Sequence, residues 1–291
     1  MPAVGISRLN VVLLILAAAA FLAAAVPASA DEWTKTFDLT GRPSVRIDTN
    51  DGGVRVLTGG GYKQVAVRVE YNGYQPDRDF TINTRQNGNR VEVNARLREH
   101  WCVFCFNARH SFKIEVRMPA DAELQVETGD GGVDVEPING NVDIHTGDGH
   151  IRLEGAKGEI RLRTGDGHIE TYRLDGQLDA SSGDGHIRAE GRFDRLNVNT
   201  GDGGVEVRAL PGSKLSSGWT IHTGDGSVAL SLPDNLQANI NAHTNDGHIT
   251  LGIPLQVEGN FSRSSIRGKL NGGGESLSIS TGDGSIRLNR S

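Results

Sequence analysis

The tetrapeptide Thr-Gly-Asp-Gly and close variants of it recur nine times along this chain, with the acid at Asp51, Asp130, Asp148, Asp166, Asp184, Asp202, Asp225, Asp246 and Asp283. From Asp130 to Asp202 the interval is 18 residues four times in succession. A fixed period of that length means that one small unit is built repeatedly, each copy burying its apolar face against its neighbours.

Within each period the apolar residues alternate, which is the pattern of a strand with one buried face. One strand carries Val133, Ile151, Ile169, Ile187 and Val205 at equivalent places, followed two residues later by Val135, Leu153, Thr171, Ala189 and Val207. The other carries Val142, Ile160, Leu178 and Leu196, then Ile144, Leu162, Ala180 and Val198. Each period is therefore two short strands and two turns. At one turn Gly129, Asp130, Gly131 and their copies are expected to supply positive φ, with the aspartate accepting a backbone N–H. At the opposite turn Gly140, Gly158 and Gly176 recur, and Asp194 takes the fourth place.

Coils stacked as a solenoid bring equivalent residues to about 4.8 Å of one another. Outward charges should then alternate in sign from coil to coil, as Asp134, Arg152, Glu170, Arg188 and Glu206 do, and on the other face Asp143, Arg161 and Asp179. Thr128, Thr146, Thr164, Ser182 and Thr200 share the inward parity and should form a hydroxyl ladder beside the corner. The fold class is all-β: a β-solenoid of 18-residue, two-strand coils. Aromatic residues are only 5% of the chain while Gly contributes 39 of 291 residues, as suits a thin repetitive core.

Residues 1–30 have the layout of a secretory signal peptide: Arg8, an apolar run over residues 11–26, and Ala28-Ser29-Ala30 before Asp31. Its removal leaves 29 bases against 36 acids, a net charge of about −7. That balance argues against nucleic acid or an anionic membrane as partner. No second apolar span follows, so no membrane span is expected after cleavage, and the chain is placed in the periplasm, the cell envelope or outside the cell. Residues 31–120 read as alternating strands with longer loops, an N-terminal β cap. Residues 121–291 read as the solenoid proper, with irregular coils near Asp225 and Asp246 and one last coil closing the chain.

Four segments carry a family resemblance: "VRIDTNDGGVRV", "VRMPADAELQVETGDGGV", "GWTIHTGDGSVALSLP" and "GKLNGGGESLSISTGDGSIRL". In their order the chain resembles the bacterial putative-adhesin family, secreted or surface β-solenoid domains of otherwise undefined function. The resemblance spans nearly all of residues 31–291 and implies a fold, but no catalytic residues.

Several motifs bear on function. A phosphate-binding loop occurs once, between a strand and a helix, so nine copies between strands are not that. Calcium-binding β-rolls also make 18-residue coils, but aligning Gly165 to Ile169 on their repeat puts Ile169 where a carboxylate is required. Asp148, Asp166 and Asp184 remain candidates for cations shared between coils. His150, His168 and His186 form a second row able to ligate zinc, copper or nickel. The only cysteines, Cys102 and Cys105 in "EHWCVFCFNARH", are expected to form a disulfide in an oxidising compartment, with a zinc site from His100, Cys102, Cys105 and His110 as the alternative. Trp101, Phe104 and Phe106 make that loop a candidate binding tip, or simply a packed loop. Repeating rows of identical acids differ from the paired, unlike groups of a glycosidase. The expectation is a non-catalytic structural or binding module without a cofactor, whose partner is a cell-surface protein or glycan. Metal binding through the Asp or His rows and a carbohydrate-active β-helix are the alternatives.

Overall fold

The computed structural model describes residues 31–98, 110–258 and 262–291. They contain strands only. The first third contributes β1 (Asp31–Asp38), β2 (Ser44–Thr49), β3 (Gly53–Gly59), β4 (Gln64–Asn72), β5 (Phe80–Asn87), β6 (Arg90–Leu97) and β7 (Ser111–Pro119). The regular array is β8 (Glu123–Thr128), β9 (Val133–Val135), β10 (Ile138–Asn139), β11 (Val142–Thr146), β12 (Ile151–Leu153), β13 (Ala156–Thr164), β14 (Ile169–Ser182), β15 (Ile187–Thr200) and β16 (Val205–Ala209). The remainder is β17 (Trp219–Thr223), β18 (Val228–Leu232), β19 (Ala238–Thr244), β20 (Ile249–Leu251), β21 (Gln256–Val257), β22 (Ser265–Leu270), β23 (Ser276–Thr281) and β24 (Ile286–Arg290). No helix among the described residues is long and apolar enough to cross a membrane.

The array is a β-solenoid in the register its period dictates. Ile151 pairs with Val133 on one side and Ile169 on the other, and Ile169 with Ile187, all in parallel. On the opposite face Ile160 pairs with Val142 and Leu178. These columns are sealed: Ile151, Ile160 and Ile169 are each 0% exposed. The alternation of buried and open residues along β8, β11, β12 and β16 is what parallel stacking of two-faced coils requires.

The order of coils in space is not their order in the sequence. On one face the strands run β5, β6, β2, β8, β11, β13, β14, β15, β17, β23, β19, β22. On the other they run β1, β4, β7, β3, β9, β12, β14, β15, β16, β18, β24, β20. The first coil, β2 and β3, is thus inserted between β6/β7 and β8/β9. The last coil, β23 and β24, is inserted between β17/β18 and β19/β20, so the coil that closes the sequence does not close the stack. Beyond the inserted coils the pairing turns antiparallel, through β4 and β1, β5, and β22. Such mixed ends break the repeat that would otherwise offer a matching edge to another chain.

Two corners differ from what the repeat implies. The glycines of the Thr-Gly-Asp-Gly corners lack positive φ; among the described corners of this type only Gly52 has it. Glycine is needed there for close approach, because a Cβ on Gly149 would stand 2.1 Å from the carbonyl oxygen of Gly131 one coil away. Positive φ belongs to the other corner, at Gly140, Gly158 and Gly176. There the alignment on Asp194 slips by one residue: Gly176 pairs with Phe193, and Asp194 is passed over by a register shift. The bulge turns the fully buried Phe193 ring edge-on to Trp219, the two bulkiest side chains of the sealed core.

Candidate functional site

From Thr146 onward the corners of the stack are joined by a threonine or serine hydroxyl. The Thr164 hydroxyl reaches back to the carbonyls of Gly147 (3.2 Å) and Gly149 (2.9 Å) in the preceding coil and accepts the N–H of Gly167 in its own (3.2 Å). Thr146, Ser182, Thr200, Thr223, Thr281 and Thr244 make the same backward bonds, so the expected hydroxyl ladder links one corner to the next from Thr146 onward, while the buried Thr128 hydroxyl has no partner among the described residues. The aspartates do less than expected. Asp51 accepts the N–H of Gly52 at 2.5 Å, whereas the carboxylates of Asp148, Asp166 and Asp184 accept no hydrogen bond from the described residues and lie exposed along the corner. Capping in these turns falls to threonine because its oxygen faces inward, toward the backbone amides, while the aspartate faces water.

The histidines form a row that is broken in the middle. His150 and His168 stack at 5.4 Å with planes 13° apart, and His150 Nε2 lies 3.7 Å from an Asp134 carboxylate oxygen. A Cβ on Gly132 would fall 2.2 Å from the His150 ring, so glycine at that position makes room for it. His186 turns the other way and its Nδ1 accepts the N–H of Gly204 at 2.8 Å. Among the described residues no three His, Cys, Asp or Glu side chains come together in a group that could hold a metal ion. Cys102, Cys105, Trp101, Phe104, Phe106 and His100 lie outside the described residues. Of that loop's candidate ligands only His110 is described, and its ring packs on Tyr74 at 5.0 Å. Burial raises the Tyr74 phenol above its ordinary value, with the carboxylates of Asp51 and Asp79 adding to the effect.

Ion pairs cross between strands on both faces; on the β5-to-β22 face Arg46 reaches Glu127 (2.6 Å) and Arg96 reaches Asp48 (2.8 Å). On the β1-to-β20 face the charge ladder closes on itself: Arg152 reaches Glu154 (3.1 Å) and Glu170 (3.5 Å), Arg188 reaches Glu206 (3.5 Å), and Arg208 reaches Glu190 (3.7 Å). The hydrogen bond to Glu154 is the main reason that the Arg152 guanidinium is held above its ordinary range. On the β5-to-β22 face Arg161 bonds Glu159 of its own strand and not the Asp143 or Asp179 beside it in the neighbouring coils.

Solved structures similar to the chain include a putative cell adhesion protein from Clostridium sporogenes ATCC 15579, at 12% identity over 90% of this chain and 100% of that one, with a TM-score of 0.29. A putative lipid binding protein from Parabacteroides distasonis ATCC 8503 is 16% identical over 89% of this chain and 96% of that one, with a TM-score of 0.48. A putative adhesin from Bacteroides fragilis NCTC 9343 is 11% identical over 89% and 98%, with a TM-score of 0.42. No curated protein matches the chain. The family model described as Toastrack DUF4097 matches residues 43–289.

Proposed function

The chain belongs to the Toastrack DUF4097 family, and from that premise we propose that it is a non-catalytic, extracytoplasmic β-solenoid acting as a structural or binding module at the cell envelope. One observation carries the reading: the exposed polar side chains stand in rows of equivalent positions along a rigid stack, as Asp148, Asp166 and Asp184 do. Catalysis asks for unlike groups converging on one reacting atom within hydrogen-bond reach. Rows of like groups instead offer a repeated contact to an extended partner, and the interlocked ends keep the array in one length. The signal-peptide layout of residues 1–30 supports export.

The test is to express the full chain in a bacterial host, locate it by fractionation, and probe intact cells with protease and antibody. Processing after Ala30, recovery from the envelope or medium, and binding of the purified protein to intact cells are the expected results. Retention in the cytoplasm with an uncut N-terminus, or turnover of polysaccharide or ester substrates by the purified protein, would overturn it.

A further inference from the structure

Resting on the reading of the chain as a binding module, we infer that the C-terminal half of the β5-to-β22 face is the contact surface and that its partner is a neutral, polyhydroxylated glycan. Two outward rows on this face begin mostly charged, with Arg46 and Asp48 on β2, Glu127 on β8, Asp143 on β11, Arg161 and Arg163 on β13 and Asp179 on β14, and with Gln125, His145 and Ser181 as their neutral members. The next four strands in space are β15, β17, β23 and β19. Across them one row reads Asn197, Thr220, Ser278, Asn241, and the row beside it reads Asn199, His222, Ser280, His243. Over these four strands neither row holds a carboxylate, an amine or a guanidinium. Charge returns on the following strand with Arg267 and Lys269.

The patch exists only because the last coil is inserted. Ser278 and Ser280 come from the C-terminal segment and fill the place between Thr220/His222 and Asn241/His243. In a chain stacked in sequence order the three strands would not be contiguous in this way.

Part of its hydrogen-bonding capacity is unspent, although Asn197 donates to Asp179 (3.2 Å), Asn241 accepts from Arg267 (3.3 Å) and His243 pairs with Asn245 (3.1 Å). The side chains of Asn199, Thr220 and Ser278 bond to nothing else among the described residues, and Asn199 and Thr220 are exposed. Among the described residues His222 and Ser280 bond only each other, at 2.8 Å. The contrast is with the opposite face, where arginines and acids neutralise one another. Short side chains such as Ser, Thr and Asn lose little rotamer freedom when held, and each offers both donor and acceptor groups. The rows repeat at about 4.8 Å along the stack, a spacing that suits an extended polymer lying along it. A charged polymer would find no counter-charge within the two rows over these strands, the nearest being Arg195 and Arg267 at their margins. A protein partner would ordinarily be anchored by Trp, Tyr or Arg, which are absent from both rows there. Neutral hydroxyls match what the surface presents.

The test uses the purified, processed chain in cosedimentation and affinity electrophoresis with neutral polysaccharides (a β-glucan, a mannan, a polymer of N-acetylglucosamine) and with a uronate polysaccharide, at low and high salt. Retention by a neutral polysaccharide, insensitive to salt, is expected. Asn199→Glu and Thr220→Glu should weaken it about tenfold or more, since a desolvated unpaired charge is costly, whereas Thr250→Glu on the opposite face should leave it unchanged. Melting temperatures of all three verify folding. Preference for the uronate polymer, retention indifferent to Thr220→Glu, or no retention at all overturns the inference. If the protein still binds intact cells in those cases, the module reading survives without it, and loss of both kinds of binding removes both. Binding to a purified surface protein that is abolished by Thr220→Glu would assign the face to a protein and equally overturn the glycan.

Discussion

At the scale of single residues, the corner explains why its four letters repeat. Gly149 is fixed by the carbonyl of Gly131, which a Cβ would approach to 2.1 Å with backbone on both sides. Gly149→Ala should therefore cost about 3 kcal/mol or more in urea denaturation, because neither coil can move without its neighbours. Thr164→Val keeps the shape but removes the partner of the Gly167 N–H and of the Gly149 carbonyl, while the Gly147 carbonyl keeps the N–H of Gly165. It should cost about 1–3 kcal/mol, while Asp166→Asn, at an exposed carboxylate, should change stability by less than about 0.5 kcal/mol. Thr171 is the opposite case: it is 0% exposed and its hydroxyl has no partner among the described residues. Thr171→Val should stabilise the fold by about 1 kcal/mol or more, since it removes a buried unsatisfied group at nearly constant volume. A loss of stability on that change would show that the hydroxyl is satisfied. The inward parity of Thr171 and of the threonine ladder was legible from alternation. The reason for the glycines was not, because close approach is a property of two coils.

At the scale of the element, each strand is held by the columns it shares with two neighbours. Ile169 sits between Ile151 and Ile187 at 0% exposure. Ile169→Ala should cost about 2–5 kcal/mol through the cavity it leaves, and Ile169→Asp should abolish the cooperative transition, because an unpaired charge in that column costs several kcal/mol. Circular dichroism during thermal melting reads both. On the surface of the same strands the alternating charges do pair across coils, Arg152 with Glu170 and Arg188 with Glu206. The second charge row did not pair as its sequence implied, since Glu159 lies nearer in reach of Arg161 than either neighbouring aspartate. The slip at Asp194 has a similar origin. Counting 18 from Gly176 ignores a bulge, and the bulge is favoured because it buries the ring of Phe193 against Trp219.

At the scale of the whole molecule, the ends are locked by insertion. Deleting residues 276–291 would not shorten the stack from its end; it would open a slot between β17/β18 and β19/β20, with unpaired strand edges on both sides. The truncated chain is expected to associate, seen as oligomers by size-exclusion chromatography with light scattering, because open edges recruit strands from other chains. Adding a synthetic peptide of residues 276–291 should return it to the size of the intact chain. A truncated protein that matches the intact chain in size and in cooperativity would argue against an inserted coil.

By itself the sequence determined the coil. The 18-residue period, the alternation of Val133 to Val207 and the two kinds of corner assigned nearly every inward residue of the array, and the family resemblance is borne out by the match over residues 43–289. These are local matters, decided by strand parity and turn chemistry within one repeat. The order of the coils was decided only in three dimensions. Repeated coils present almost the same edges to one another, so nothing within a coil names its neighbour; what selects the order is how the irregular strands at each end can cover what remains open. The clue was present at Asp51, whose regular corner lies far ahead of the next one at Asp130, and at Asp283, whose regular coil follows irregular sequence. That choice of order also created the uncharged surface, by setting Ser278 and Ser280 between strands that precede them in the chain.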